Sequence, residues 1–201
     1  MSPDLQKIVE AIRAGRRFVI SSHARPDGDA IGSEMAAAYA LRALGKQVRV
    51  VNVDPPPAPF MQFPGVPDIE VASEASGEFD VSIVMECSSL ARTGVKGLDR
   101  ATVINIDHHP GNSSYGQLNW FDGTAAACGE MVFDLVKALG TPLTREVATH
   151  IYIAILTDTG SFHFSSISPR TFEICREALV TDGGRHCPVP KATFGIVDDL
   201  R

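Results

Sequence analysis

The 201 residues suffice for one α/β domain with a substantial core and are too few for two large ones. With 44% hydrophobic and 21% charged residues the composition is that of an ordinary soluble chain, and no run reaches the roughly 18 apolar residues of a membrane span. The net charge of −6 argues against a broad basic surface for gripping long DNA, whereas a short nucleic-acid substrate held by local groups stays compatible with it.

Ser2-Pro3 opens a helix, with Pro at its first position, and Leu5, Ile8, Val9 and Ile12 repeat at helical spacing. This start reads as an amphipathic helix rather than a signal peptide, which predicts a cytoplasmic protein. RRFVISSH (16–23) is a short apolar strand that ends in polar residues. A helix over 29–46, closed by Gly45, leads to the strand QVRVVNVD (47–54) and a Pro-rich loop over 55–67. FDVSIVMEC (79–87) and ATVINIDHH (101–109) are two more buried strands. Helices follow over 128–140, 144–160 and 168–180, the last capped by Ser168 with Pro169 at its first position. Residues 181–201 show no clear period. Cys87, Cys128, Cys175 and Cys187 form no C-x-x-C pair and read as small buried apolar residues.

Near-continuous apolar strands separated by helices or long crossovers predict an α/β fold, with a parallel sheet flanked by helices on both faces. Ligands of such sheets bind beyond the carboxyl ends of the strands. Four polar clusters fall at such ends or at a helix end: SSHARPDGD, MECSSLARTG, NIDHH and LTDTGSF. In the first, Pro26 and Gly28 force a turn that crowds His23, Asp27 and Asp29, and a helix cap accounts for one of the two aspartates only. Glu86 follows a strongly apolar strand, and Arg92 could pair with it or with a substrate phosphate. In NIDHH, neighbours on an extended chain point to opposite sides, so one histidine would bind metal and the other face substrate. Asp158 ends an apolar helical segment, where the helix dipole disfavours a negative charge and a nearby cation would offset this.

Convergence of His23, Asp27, Asp29, Glu86, His108 and Asp158 would gather carboxylates that repel one another without a counter-ion. Two divalent cations would balance most of that charge. Mixed imidazole and carboxylate ligation without Cys suits Mn²⁺, with Mg²⁺, Co²⁺ or Fe²⁺ as competitors. A pair of ions roughly 3.5–4 Å apart is the usual device for phosphoester hydrolysis.

HARPDGDAIGS, VMECSSLARTG, NIDHHPGN and LTDTGSF, in that order, resemble the motifs of the DHH phosphoesterase superfamily, which includes RecJ exonucleases and family II pyrophosphatases. RTG after the second motif and LTDTGSFHFSS most resemble the oligoribonuclease/pAp phosphatase (nanoRNase) branch. The resemblance implies that His23 and Asp27 bind one ion, that Asp29, His108 and Asp158 bind the other, and that Glu86 bridges them. It implies that His109 meets the scissile phosphate, that Asp107 orients a histidine, and that Arg92 and His109 steady the anion while a hydroxide held between the ions attacks phosphorus. The family usually has Asp where this chain has Glu86, whose extra methylene moves the carboxylate. Members of this branch also carry a second, substrate-binding domain, and residues 181–201 are too short for one. The expected organisation is a catalytic DHH domain over 1–180, an irregular tail over 181–201 and no second domain. The substrates implied are short oligoribonucleotides or 3′-phosphoadenosine 5′-phosphate (pAp), with cyclic dinucleotides or pyrophosphate as alternatives within the enzyme class. The rival expectation is a truncated or degenerate domain that binds metal and nucleotide with little turnover. A homo-oligomer is left open.

Overall fold

The computed structural model describes residues 2–180. The expectations for the tail over 181–201 and for Cys187 lie outside the described residues.

Helix α1 (Pro3–Ala14) starts where the sequence predicts it, with the Ser2 hydroxyl accepting from the Leu5 amide at 3.2 Å. Leu5, Ile8, Val9 and Ile12 form its buried stripe. Strands β1 (Arg17–Ser21), β2 (Gln47–Asn52), β3 (Glu70–Val71), β4 (Val81–Met85), β5 (Thr102–Asp107) and β6 (Leu118–Phe121) form one parallel sheet in the order β3-β2-β1-β4-β5-β6. Helix α2 (Gly28–Ala43) connects β1 to β2, and α3 (Cys128–Leu139), α4 (Arg145–Asp158) and α5 (Pro169–Leu179) follow β6. The strand order reverses between the neighbours β1 and β4, and an open α/β sheet forms its ligand crevice at such a point.

Both faces of the sheet are buried, as a parallel sheet requires. Phe18, Ile20, Ile83, Met85, Ile104 and Ile106 pack in one cluster with the buried stripes of all five α-helices. The alternate residues Val19, Val51, Val84 and Val103 pack on the other face with Val95, Leu98 and Leu90. That second face is covered by loops and by short 3-10 helices, Leu90–Thr93 and Leu98–Arg100. No described helix is long and apolar enough to cross a membrane. Cys87, Cys128 and Cys175 are buried free thiols, as read from the sequence.

The strands stop earlier than their apolar runs suggest. Met85 ends β4 because Glu86 turns into the left-handed region, at φ 55°. Asp107 ends β5 because the His109 amide folds back to donate to the Asp107 carboxylate at 3.1 Å. The edge strands β3 and β6 are absent from the sequence reading. Two and four residues long, they are too short to show a period.

Helices α2, α3 and α4 approach one another closely at Ala154. A Cβ added to Gly32 would lie 2.5 Å from the His150 carbonyl oxygen and 2.9 Å from the Ala154 Cβ, and one added to Gly129 would lie 2.6 Å from the same methyl. Gly32→Val should therefore destabilise the chain by about 3 kcal/mol, or roughly 6–12 °C in melting temperature. An unchanged melting temperature would show that α2 and α4 can separate without loss.

Candidate metal centre

The carboxyl ends of three adjacent strands carry the first half of the site. His23 lies two residues beyond β1, Glu86 one residue beyond β4, and Asp107, His108 and His109 close β5. Asp27 caps α2, its carboxylate accepting from the Ala30 amide at 3.0 Å, and Asp29 sits in the first turn of that helix. Asp158 is the last residue of α4.

The donor atoms of His23, Asp27 and Glu86 lie within 4.8 Å of one another. So do those of Asp29, His108 and Asp158, and those of Glu86, His108 and His109. All six predicted ligands are thus gathered at one place, with Glu86 common to two of the groups.

His108, His23 and Asp29 are each held by specific partners. His108 donates from Nδ1 to the Ala125 carbonyl at 3.0 Å, and His23 donates from Nδ1 to the Ala24 carbonyl at 2.9 Å. A carbonyl can only accept, so each ring carries its proton on Nδ1 and turns Nε2 toward the carboxylates. His108 Nε2 lies 3.2 Å from Glu86 Oε1, 3.5 Å from Asp158 Oδ2 and 3.8 Å from Asp29 Oδ2. His23 Nε2 lies 3.7 Å from Asp27 Oδ2. Asp29 is buried between two helix starts. It accepts from the Cys128 and Gly129 amides of α3 at 2.6 and 3.0 Å, and from the Ser33 hydroxyl at 2.9 Å. Helix N-termini favour that negative charge.

The electrostatics are unfavourable to the bare protein. Burial, followed by the charges of Glu86 and Asp158, holds the Asp29 carboxyl well above the usual range. Burial also pushes Asp158 up to about 6, with Glu86 adding to the effect. Both oxygens of Glu86 and the Nε2 of His108 are buried without a hydrogen-bond partner. Buried polar atoms are rarely left so. Three orphaned acceptors facing one another among carboxylates fit a divalent cation, and the oxygen and imidazole donors fit Mn²⁺, Mg²⁺ or Co²⁺. The left-handed backbone of Glu86 costs on the order of 1–3 kcal/mol and aims its carboxylate into this cluster.

His109 borders this set, its Nδ1 3.6 Å from Glu86 Oε2. Its ring lies edge-to-face on His108, with centroids 4.6 Å apart. The expectation that the two rings point to opposite sides is not met: the strand ends at Asp107 and the two rings are in contact. Asp107 accepts from His109 Nδ1 at 3.0 Å, which leaves His109 Nε2 free. The Asp107 hydrogen bond also holds the His109 pKa above its ordinary value, against the effect of burial. Arg92 does not pair with Glu86. Its guanidinium donates to the Ser88 hydroxyl at 3.0 Å, and its carbonyl accepts from the Ala24 amide at 2.8 Å, beside His23.

Several supporting residues escape the sequence reading. Asn112 donates to Asp107 Oδ2 at 2.6 Å and accepts from Asn105 at 2.7 Å, so an amide chain fixes the aspartate behind His109. Behind His23, Asn52 accepts from the Ser22 amide at 3.2 Å and donates to the buried Glu34 at 2.9 Å. Glu34 has a usable signal, as the one acid within the apolar middle of its helix. The α3 amides have none, because a main-chain N–H carries no residue identity.

The family model described as "DHH family, N-terminal domain" matches residues 17–155. The chain is 38% identical over 166 residues to "Bifunctional oligoribonuclease and PAP phosphatase NrnA" of Thermus thermophilus, covering 80% of this chain and 48% of that protein. It is 28% identical to the Bacillus subtilis protein of the same name, covering 86% of this chain and 56% of the relative. An exopolyphosphatase-related protein from Bacteroides fragilis has a similar structure, with a TM-score of 0.80 at 25% identity over 88% of this chain and 56% of that one. The chain therefore spans about half the length of the curated relatives it matches.

Proposed function

Because the chain belongs to the DHH family, whose N-terminal domain model matches residues 17–155, we propose that it carries the catalytic centre of a divalent-metal-dependent phosphoesterase. Its substrates are short oligoribonucleotides or pAp, the class named by the relatives from T. thermophilus and B. subtilis. One observation carries the reading: the orphaned His108 Nε2 and Glu86 oxygens, buried at the switch point of the sheet.

His23, Asp27 and Glu86 would hold one ion, and Asp29, His108 and Asp158 the other, with Glu86 shared. When bound, the ions supply Lewis-acid charge to phosphoryl oxygens and a nucleophile at neutral pH. The protein's own groups do the rest. In its imidazolium form, which the Nδ1–H bond to Asp107 favours, His109 presents Nε2–H as a proton donor to a phosphoryl or leaving oxygen, and Asn112 holds Asp107 in place behind it. Arg92, tethered beside His23, adds positive charge for the substrate anion.

The test is hydrolysis of a labelled dinucleotide, pAp, a cyclic dinucleotide and pyrophosphate in parallel. Turnover of the dinucleotide or pAp is expected, abolished by chelation and restored by Mn²⁺ better than by Zn²⁺ or Ca²⁺. Turnover that survives complete metal removal would overturn the reading. Metal binding without turnover of any substrate would favour a domain that binds metal and nucleotide only.

A further inference from the structure

The segment after Asp158 is not used by the metal centre, yet it has the most unusual backbone in the described chain. Gly160, Ser161 and Phe162 are consecutive residues at φ 54°, 58° and 65°. L-residues avoid this region, and strain of this kind persists only where the surroundings over-determine it. Here they do. The Thr159 hydroxyl accepts from the Phe162 amide at 3.1 Å, and the Thr159 carbonyl accepts from the His163 and Phe164 amides at 2.9 and 3.1 Å. The Ser161 amide donates to the Leu156 carbonyl at 2.8 Å. The Phe162 ring is anchored against Tyr152 and Phe172, with centroids 6.3 and 5.5 Å away.

The result of this anchoring is outward display. Phe164 is 59% exposed, the most of any large hydrophobic residue described. The far edge of its ring lies over Gly160, where an added Cβ would sit 2.6–2.9 Å from three ring atoms. Gly160 is two residues from Asp158, and its Cα lies within about 7.6 Å of that residue's Cα. A turn held by its own hydrogen bonds thus keeps an exposed aromatic ring packed on the residue two positions after Asp158. His163 is fixed with it, Nδ1 donating to the Gly160 and Ser161 carbonyls, each at 2.9 Å.

We propose that Phe164 is the stacking platform for the nucleobase attached to the phosphate at the metal centre. The proposal rests on the reading of that centre as a phosphoesterase site for nucleotides. Any base offers a π-face to an aromatic ring, so the contact would select nucleotides over other phosphoesters without choosing among bases. The strained turn then has a physical role, since it holds the ring's orientation before the base arrives, where a flexible loop would have to be ordered on binding.

The experiment compares affinities for a non-hydrolysable dinucleotide analogue and for pyrophosphate by calorimetry in Mn²⁺. Phe164→Ala is expected to weaken dinucleotide binding about tenfold, within the range known for base–aromatic stacking. Pyrophosphate affinity and melting temperature should stay as in the parent, and Phe164→Trp should restore the dinucleotide. A Phe164→Ala variant that binds the dinucleotide like the parent overturns the proposal, as does one that loses both ligands equally. If the parent binds pyrophosphate but no dinucleotide, the stacking platform falls and the phosphoesterase reading stands. If it binds neither, both fall.

Discussion

Glu86→Gln should raise the melting temperature of the metal-free chain while removing at least one divalent cation per chain. Glu86 is buried, and its carboxylate has no hydrogen-bond partner. Its charge is among the causes that push the carboxyls of Asp29 and Asp158 upward. Glutamine keeps the shape and deletes that charge. His108 loses one neighbour but keeps Asp29 and Asp158 near its Nε2. The gain without metal should be about 2 kcal/mol, since buried charge clusters cost that order of free energy. For a domain of this size it is about 4–8 °C. The loss of metal follows from the same residue, because Glu86 belongs to two of the three donor groups and a neutral amide is a poor ligand for a hard cation. Melting in chelator and metal analysis by mass spectrometry check the two halves. A variant that melts lower and keeps its full metal content would make Glu86 a structural partner of His108 and not a ligand.

The second expected result is a reversal in sign. Without metal, the chain should lose stability as pH rises from about 6.5 to 8; with excess Mn²⁺ it should gain stability over the same range. Burial raises Glu34 to about 7, inside this window, whereas Asp158, raised to about 6, has lost most of its contribution before the window opens. A carboxyl raised in the folded state favours folding at low pH, and that contribution is lost as pH climbs through the raised value. His23 is raised by its Asp27 contact and His109 by Asp107. Burial alone would lower His108, but Glu86 and Asp29 outweigh it and raise it too. Raised histidines contribute stability below their ordinary value of 6.5 and lose it above. His150 has the opposite sign, being lowered by burial to about 4, but most of its contribution is gained below about pH 6.5. Glu34 and the raised histidines therefore outweigh His150 in the window and pull toward loss. Metal ligands must be deprotonated, so with Mn²⁺ present protons compete with the ion and stabilisation grows with pH. Saturation at a hundred times Kd would contribute about 2.7 kcal/mol. Parallel melting curves with and without Mn²⁺ would sink the assignment of these histidines and carboxylates as ligands.

The legible part of this molecule is what repeats or breaks a repeat. The α1 stripe, the apolar strands and the Ser168 cap follow from spacing alone, and both α1 and α5 begin where their Ser-Pro pairs stand. His23, Glu86, Asp107 and Asp158 are visible because each interrupts an apolar run. What stays hidden depends on contacts between distant segments. Nothing in CGEMV announces that its first amides hold Asp29, almost a hundred residues earlier. Nothing near LNWF marks it as an edge strand paired with β5. His150 breaks an apolar run as plainly as His108 does, yet it is a neutral core residue that bonds to the Pro64 carbonyl and stacks on Tyr39. The two histidines differ only in what surrounds them.

The strand order also governs when in folding the metal can act. β1 and β4 are neighbours in space but are separated in sequence by α2, β2 and β3. His23 and Glu86 therefore meet only after a long chain segment has been ordered, and Asp158 joins them only once α4 docks on α2. Such non-local parallel pairing is slow, because loop closure is completed before any contact offsets it. A cation held by these residues would therefore find its full set of donors assembled late. Its expected effect falls mainly on the unfolding rate, which it should slow, with the folding rate close to that of the metal-free chain.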